Sequence, residues 1–192
     1  MHYRLGTISL AATTVLISLT SPLLPLNGFE PLAARAQTTQ DQKIELDSLF
    51  QIGIEQFHKG QLQQALATFE QVLAQSRDSG DKLTQAAALI KIAQTYTWLS
   101  RPTETLKTAQ QALAIYQELG DESGTAEALY HVGDAYLDLN EFAPAIENIQ
   151  HSLAMRREVG DRQGEGRTLG LLGVVQVKQG QVAEGLSTLQ QS

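Results

Sequence analysis

A 40-residue period constrains this chain more than any other feature. The dipeptide Gly-Asp stands at Gly80-Asp81, Gly120-Asp121 and Gly160-Asp161, and a small residue keeps the same spacing at Gly53, Ala93, Gly133 and Gly173. A turn signal recurs midway, at Gly60, Ser100, Asn140 and Gly180. Self-similarity at a fixed period of this size marks stacked supersecondary units, none of which buries its apolar face alone.

Each landmark has a local reason. Gly80, Gly120 and Gly160 follow apolar-periodic runs and suit the left-handed residue that closes a helix. Asp81, Asp121 and Asp161 can then accept the unpaired N–H groups that open the next one. Gly60, Asn140 and Gly180 tolerate the left-handed conformation, whereas Ser100 relies on the nearby Pro102 to enforce the stop. Between these marks the apolar residues fall three and four apart, as in Ala126, Leu129, Val132, Gly133 and Tyr136, then Phe142, Ala145, Ile146, Ile149 and Leu153. Two helices per unit follow, A and B. The expected spans are Asp41–Lys59 and Leu62–Arg77, Lys82–Leu99 and Pro102–Leu119, Glu122–Leu139 and Phe142–Val159, then Arg162–Gln179 and a last helix from Gln181. The small residues of helix A, and Ala65, Thr105, Ala145 and Gly185 of helix B, let the paired helices approach closely. The expected fold is all-α: a solenoid of about four units, near 43–80, 81–120, 121–160 and 161–192. Ser192 aligns with Ser152, so the fourth helix B is expected to be cut short, leaving an edge with Leu186 and Leu189. Self-association through that edge is one reading of it, and a fragment of a longer protein is another.

Met1 to Gln40 stands apart from the repeats. His2 and Arg4 precede a run without charge from Leu5 to Leu26, Pro22 and Pro25 break it, and Ala34-Arg35-Ala36 follows. This is the layout of a cleaved secretory signal over residues 1–36, ahead of a flexible lead at residues 37–42. An uncleaved membrane anchor over residues 5–26 is the alternative. The repeats are therefore expected to be exported, periplasmic or extracellular.

The repeats resemble the tetratricopeptide repeat. The marks are Leu49-x-x-Ile52-Gly53, Ala65 and Phe69, then Leu89-x-x-Ile92-Ala93-x-x-Tyr96. Leu129-x-x-Val132-Gly133-x-x-Tyr136 with Ala145 and Ile149 follows, then Leu169-x-x-Leu172-Gly173 with Gly185 and Leu189. Departures are Gln56 and Gln176 at aromatic positions and Thr105 for alanine. The common unit has about 34 residues. The longer one here resembles the variant in kinesin light chains and in bacterial scaffold proteins, including the N-terminal region of exported proteins that end in a caspase-like CHAT peptidase domain.

The resemblance implies a concave face lined by the A helices, where a protein or peptide binds. Carried onto this chain, the groove residues are Phe50, Ile54, Phe57, Ile90, Gln94, Trp98, Tyr130, Asp134 and Leu137. The lysine-and-asparagine clamp for a terminal carboxylate is missing: Phe50 and Ile54, Ile90 and Gln94, Tyr130 and Asp134 stand in its place. An apolar, aromatic groove with acidic spots suits a segment with apolar anchors and a positive charge.

Other chemistry finds little support. The formal net charge of -7 argues against a nucleic-acid partner. The absence of cysteine excludes disulfides, thiolate metal sites and a cysteine nucleophile. The histidines show no His-Glu-x-x-His, and His131 with Asp134 reads as a surface pair rather than a metal site. Gly164-Glu165-Gly166 follows no strand and carries no phosphate-loop lysine; it reads as an irregular helix start. No serine sits in a nucleophile elbow. The expectation is a scaffold without catalytic residues, metal or cofactor, with two alternatives: the regulatory part of a CHAT-type peptidase, or a self-associating structural repeat.

Overall fold

The computed structural model describes residues 32–192. The charge-free run and most of the proposed signal segment lie outside the described residues. Eight helices follow one another there: α1 Leu32–His58, α2 Leu62–Ser79, α3 Lys82–Trp98, α4 Pro102–Leu119, α5 Glu122–Asp138, α6 Phe142–Val159, α7 Arg162–Lys178 and α8 Val182–Leu189. Odd helices are the A helices and even ones the B helices. Each packs on its sequence neighbours, and adjacent A helices also touch one another. This is the expected α-solenoid. One expectation fails: α1 begins at Leu32, not near Asp41, so residues 37–42 are helical rather than a flexible lead.

Every turn closes in one way. Gly80, Gly120 and Gly160 are left-handed at φ 73°, 67° and 74°. The Gly80 N–H donates to the Arg77 carbonyl and the Asp81 N–H to the Ser76 carbonyl, the paired bonds of a Schellman closure. Asp81, Asp121 and Asp161 then accept from the N–H groups of Thr84, Gly124 and Gly164, capping α3, α5 and α7. The mid-unit turns use the same bonds, with Ser100 and Asn140 held at φ 55° and 60°.

Close helix approach explains the small residues. A Cβ on Gly133 would stand 2.6 Å from Ile149 Cγ1 and 3.2 Å from the Ala145 carbonyl. One on Gly53 would meet the Phe69 ring at 2.6 Å. The core follows the same register: Ile92, Val132 and Leu172 are buried between one unit's helix A and the preceding helix B. Their equivalent Ile52 is 45% exposed, because among the described residues no helix B precedes α1.

Candidate interaction groove

The four A helices stand side by side, so equivalent residues form rows across the array. One row is Phe50, Ile90, Tyr130 and Gly170; another is Ile54, Gln94, Asp134 and Val174; a third is His58, Trp98, Asp138 and Lys178. Phe50 is half-buried against Phe69, with ring centroids 5.7 Å apart, and Ile54 packs on the same core. Phe57 meets Trp98 edge-on at 6.2 Å. Trp98 is 66% exposed, a large aromatic surface for a single side chain. Gln94 is half-buried and accepts from Lys91 Nζ at 3.3 Å. Tyr130 and Asp134 are also half-buried.

Ile90 and Leu137 depart from the expected groove. They are only 6% and 3% exposed and pack within the hydrophobic core. An A helix touches its own helix B, the preceding helix B and both neighbouring A helices, so most of its circumference is interior.

The structure also shows a charged cluster that the sequence reading did not assemble. Arg156 of α6 is 2% exposed. Its Nη1 donates to Asp161 Oδ2 at 2.5 Å, its Nη2 donates to Glu127, and its Nε donates to Ser152 Oγ at 3.3 Å. Ser152 Oγ in turn donates to the Ala126 carbonyl at 2.6 Å. Arg167 of α7 donates to the same Glu127 Oε2 at 3.0 Å, so one carboxylate on α5 ties two helices to it. Tyr130 lies beneath both guanidiniums, at 5.9 and 5.7 Å from its ring centroid. Burial pushes the Glu127 carboxyl up, but His131, Arg156 and Arg167 more than offset this and hold it well below the usual carboxylate range. Burial pushes the nearby Lys91 ammonium down, with Glu127 opposing and Arg167 adding to the effect.

His131 is not the surface residue expected. It is 4% exposed, and neither ring nitrogen makes a hydrogen bond. Its Nε2 lies 3.5 Å from Glu127 Oε1, close enough for Coulomb attraction but outside hydrogen-bond geometry. Burial and the Asp138 charge raise Asp134 above its ordinary value, with His131, Thr97 and Lys178 opposing. Among the described residues no group of three or more His, Asp or Glu is placed to hold a metal ion.

Gly164 is explained by the same cluster. A Cβ there would fall on the Arg156 guanidinium and the Asp161 carboxylate. The joints repeat this theme. Gly124 faces Tyr116, whose ring a Cβ would overlap, whereas at the first joint the equivalent positions hold Thr84 and the small Ser76. Residues four before and four after the joint glycine therefore trade size.

Family models described as tetratricopeptide repeat match residues 47–79 and 84–158, together more than half of the chain. This chain is a tetratricopeptide-repeat protein. Solved structures agree on the fold of the repeat array. The nearly identical TPR-like repeats from Podosopora anserina superpose with TM-score 0.65 at 19% identity, over 77% of this chain and 72% of that one. Apo RapI gives 0.69 at 17% identity, over 74% and 52%. The Rap conjugation gene regulator of plasmid pLS20, in complex with the Phr* peptide, gives 0.68 at 15% identity, over 90% and 47%. The repeat protein thus spans about half the length of these two Rap structures. No curated protein matches its sequence. Among the described residues no helix of the array is long and apolar enough to cross a membrane.

Proposed function

We propose that this protein is an exported scaffold whose A-helix groove takes a peptide segment of a partner protein. The observation that carries this reading is Trp98: a tetratricopeptide array leaves a large aromatic side chain two-thirds exposed on its A-helix side, backed edge-on by Phe57. Gln94, Tyr130 and Asp134 lie in the neighbouring rows of α3 and α5, offering hydrogen-bonding and charged groups beside it. The Rap regulator in complex with the Phr* peptide supports the same use of a similar fold. Export rests on the charge-free run Leu5–Leu26 and on Ala34-Arg35-Ala36, and cleavage before Gln37 would leave α1 as residues 37–58. The Gly-Asp joints and their spacing favour, as a second reading, the regulatory region of a CHAT-type peptidase.

Display of short random peptides on the purified array tests the groove. Trp98 is the sole tryptophan, so its emission reports binding directly. Selected peptides should shift it saturably and lose affinity on Tyr130→Ala. Selection that yields no binder, or binders indifferent to Tyr130 and Trp98, refutes the groove. Mass spectrometry of the protein from its host tests export: a cytoplasmic chain retaining Met1 refutes it.

A further inference from the structure

Asp134 and Asp138 lie one helical turn apart on α5. Like charges at that spacing repel, and neither carboxylate has an ion-pair partner among the described residues. The rest of the molecule treats its buried charge differently. Glu127, two turns earlier on the same helix, is matched by two guanidiniums and holds them with charge-assisted bonds. Around Asp134 stand the Thr97 hydroxyl, His131, Asp138 and Lys178 of α7. None of the four forms an ion pair with it: Thr97 and Asp138 bring no positive charge, His131 is buried with both ring nitrogens unbonded and lies against Glu127, and Lys178 is an exposed side chain on α7 that acts on Asp134 only at longer range.

Trp98 completes the surroundings. It occupies on α3 the position that Asp138 occupies on α5, one unit along, and adjacent packed helices stand about 8–10 Å apart. An exposed indole and two carboxylates without an ion-pair partner thus stand on touching A helices at equivalent and adjacent register positions, with the Phe57 ring edge-on to the indole. This combination suits one side chain above others. A guanidinium is planar and weakly hydrated, stacks on an indole face and forks onto a carboxylate; an ammonium does the first poorly and the second as a point charge.

We infer that Trp98, Asp134 and Asp138 form a subsite for an arginine side chain of the bound partner segment. The inference rests on the groove reading above and adds the chemistry of the occupant. Arginine supplies the charge that the two aspartates lack and covers the exposed indole. Tyr130 and the Glu127 cluster, whose charges are already matched within the fold, lie one to two turns away and act as the rim.

The test compares three synthetic peptides drawn from one selected binder: the arginine form, the same peptide with citrulline, and the same peptide with lysine. Selected binders should carry arginine more often than the starting library does. Trp98 emission should then show affinity about tenfold weaker for citrulline, with lysine between the two. Asp134→Asn combined with Asp138→Asn should erase the difference between arginine and citrulline while leaving the fold intact by circular dichroism. Asp138→Asn alone, at an exposed position, keeps the test valid should the double variant unfold. Binders that need Trp98 and Tyr130 but carry no basic residue, or that bind the asparagine variants equally well, overturn the arginine subsite and leave the groove standing. A complete lack of binders overturns both.

Discussion

The joint between α6 and α7 makes a quantitative test of how the units are fastened. Gly164 is a helical residue at the third position of α7, and alanine in such a position ordinarily gains up to about 1 kcal/mol. Here the added methyl would coincide with the Arg156 guanidinium and the Asp161 carboxylate. Arg156 has nowhere to retreat: it is 2% exposed and bonded to Asp161, Glu127 and Ser152. Overpacking costs about 1–3 kcal/mol, and losing one charge-assisted bond costs about 1.5–3 kcal/mol. Asp161 and Glu127 keep solvent access and other partners, which limits the loss. Allowing for the propensity gain, Gly164→Ala should destabilise by about 2–3 kcal/mol. In an Arg156→Ser background, which copies the Ser76 and Thr84 joint, the same change should be neutral or stabilising by about 0.5–1 kcal/mol. The coupling is then about 3 kcal/mol, at the upper end of what contacting residues show. Urea unfolding of the four variants measures it. Hydrogen exchange across α7 guards against the loss of two-state behaviour that repeat arrays can show. Gly170→Ala, where a Cβ meets only Ser192 Cβ at 3.8 Å, is the control for propensity. A Gly164→Ala cost that is the same in both backgrounds would refute the steric account.

Two further predictions concern the acid limb and the Ser100 turn. Glu127 titrates below its unfolded value of about 4.3, so its contribution is present above that pH and is lost as pH falls through the folded value. Thermal unfolding followed by circular dichroism between about pH 5 and about pH 2 should show Glu127→Gln less stable at the upper end and the gap to wild type closing on acidification. Ser100 carries a left-handed backbone that costs about 1–2 kcal/mol for a residue with a Cβ. Less the extra unfolded-chain entropy of glycine, Ser100→Gly should raise stability by about 0.5 kcal/mol, with Asn140→Gly smaller, both read as shifts of the urea midpoint.

The turns were legible in the sequence because their chemistry is local. A left-handed residue, a capping aspartate and a small residue at a helix crossing each act within a few positions, and the period displays them repeatedly. Of the groove positions carried over from the resemblance, Phe57, Gln94, Trp98, Tyr130 and Asp134 keep surface open to solvent. Ile90 and Leu137 do not, because a wheel cannot distinguish the open side of an A helix from the sides pressed on its neighbours. Arg156 went unnoticed for a related reason. Charge in the last turn of a helix reads as a favourable exposed end, and its partners are 29 residues back and 5 residues ahead. A signal for it did exist. With the units aligned, Ser76, Tyr116 and Arg156 grow as Thr84 shrinks to Gly124 and Gly164, so size is conserved across each joint rather than within each unit. His131 was misplaced because its row, Gln51, Lys91, His131 and Leu171, changes character from one unit to the next.

That trade of size across the joints bears on how such arrays grow. The visible boundary of a unit is the Gly-Asp joint, but each steric partnership straddles it, one member on either side. A segment copied from joint to joint would arrive with half of two partnerships: the Gly124 that accommodates Tyr116 would come without its tyrosine, and Arg156 without the Gly164 that makes room for it. A segment cut midway, at Asn140 for instance, would carry its own joint whole. The piece of chain that can be duplicated without a clash is therefore half a period out of step with the piece that looks like a repeat.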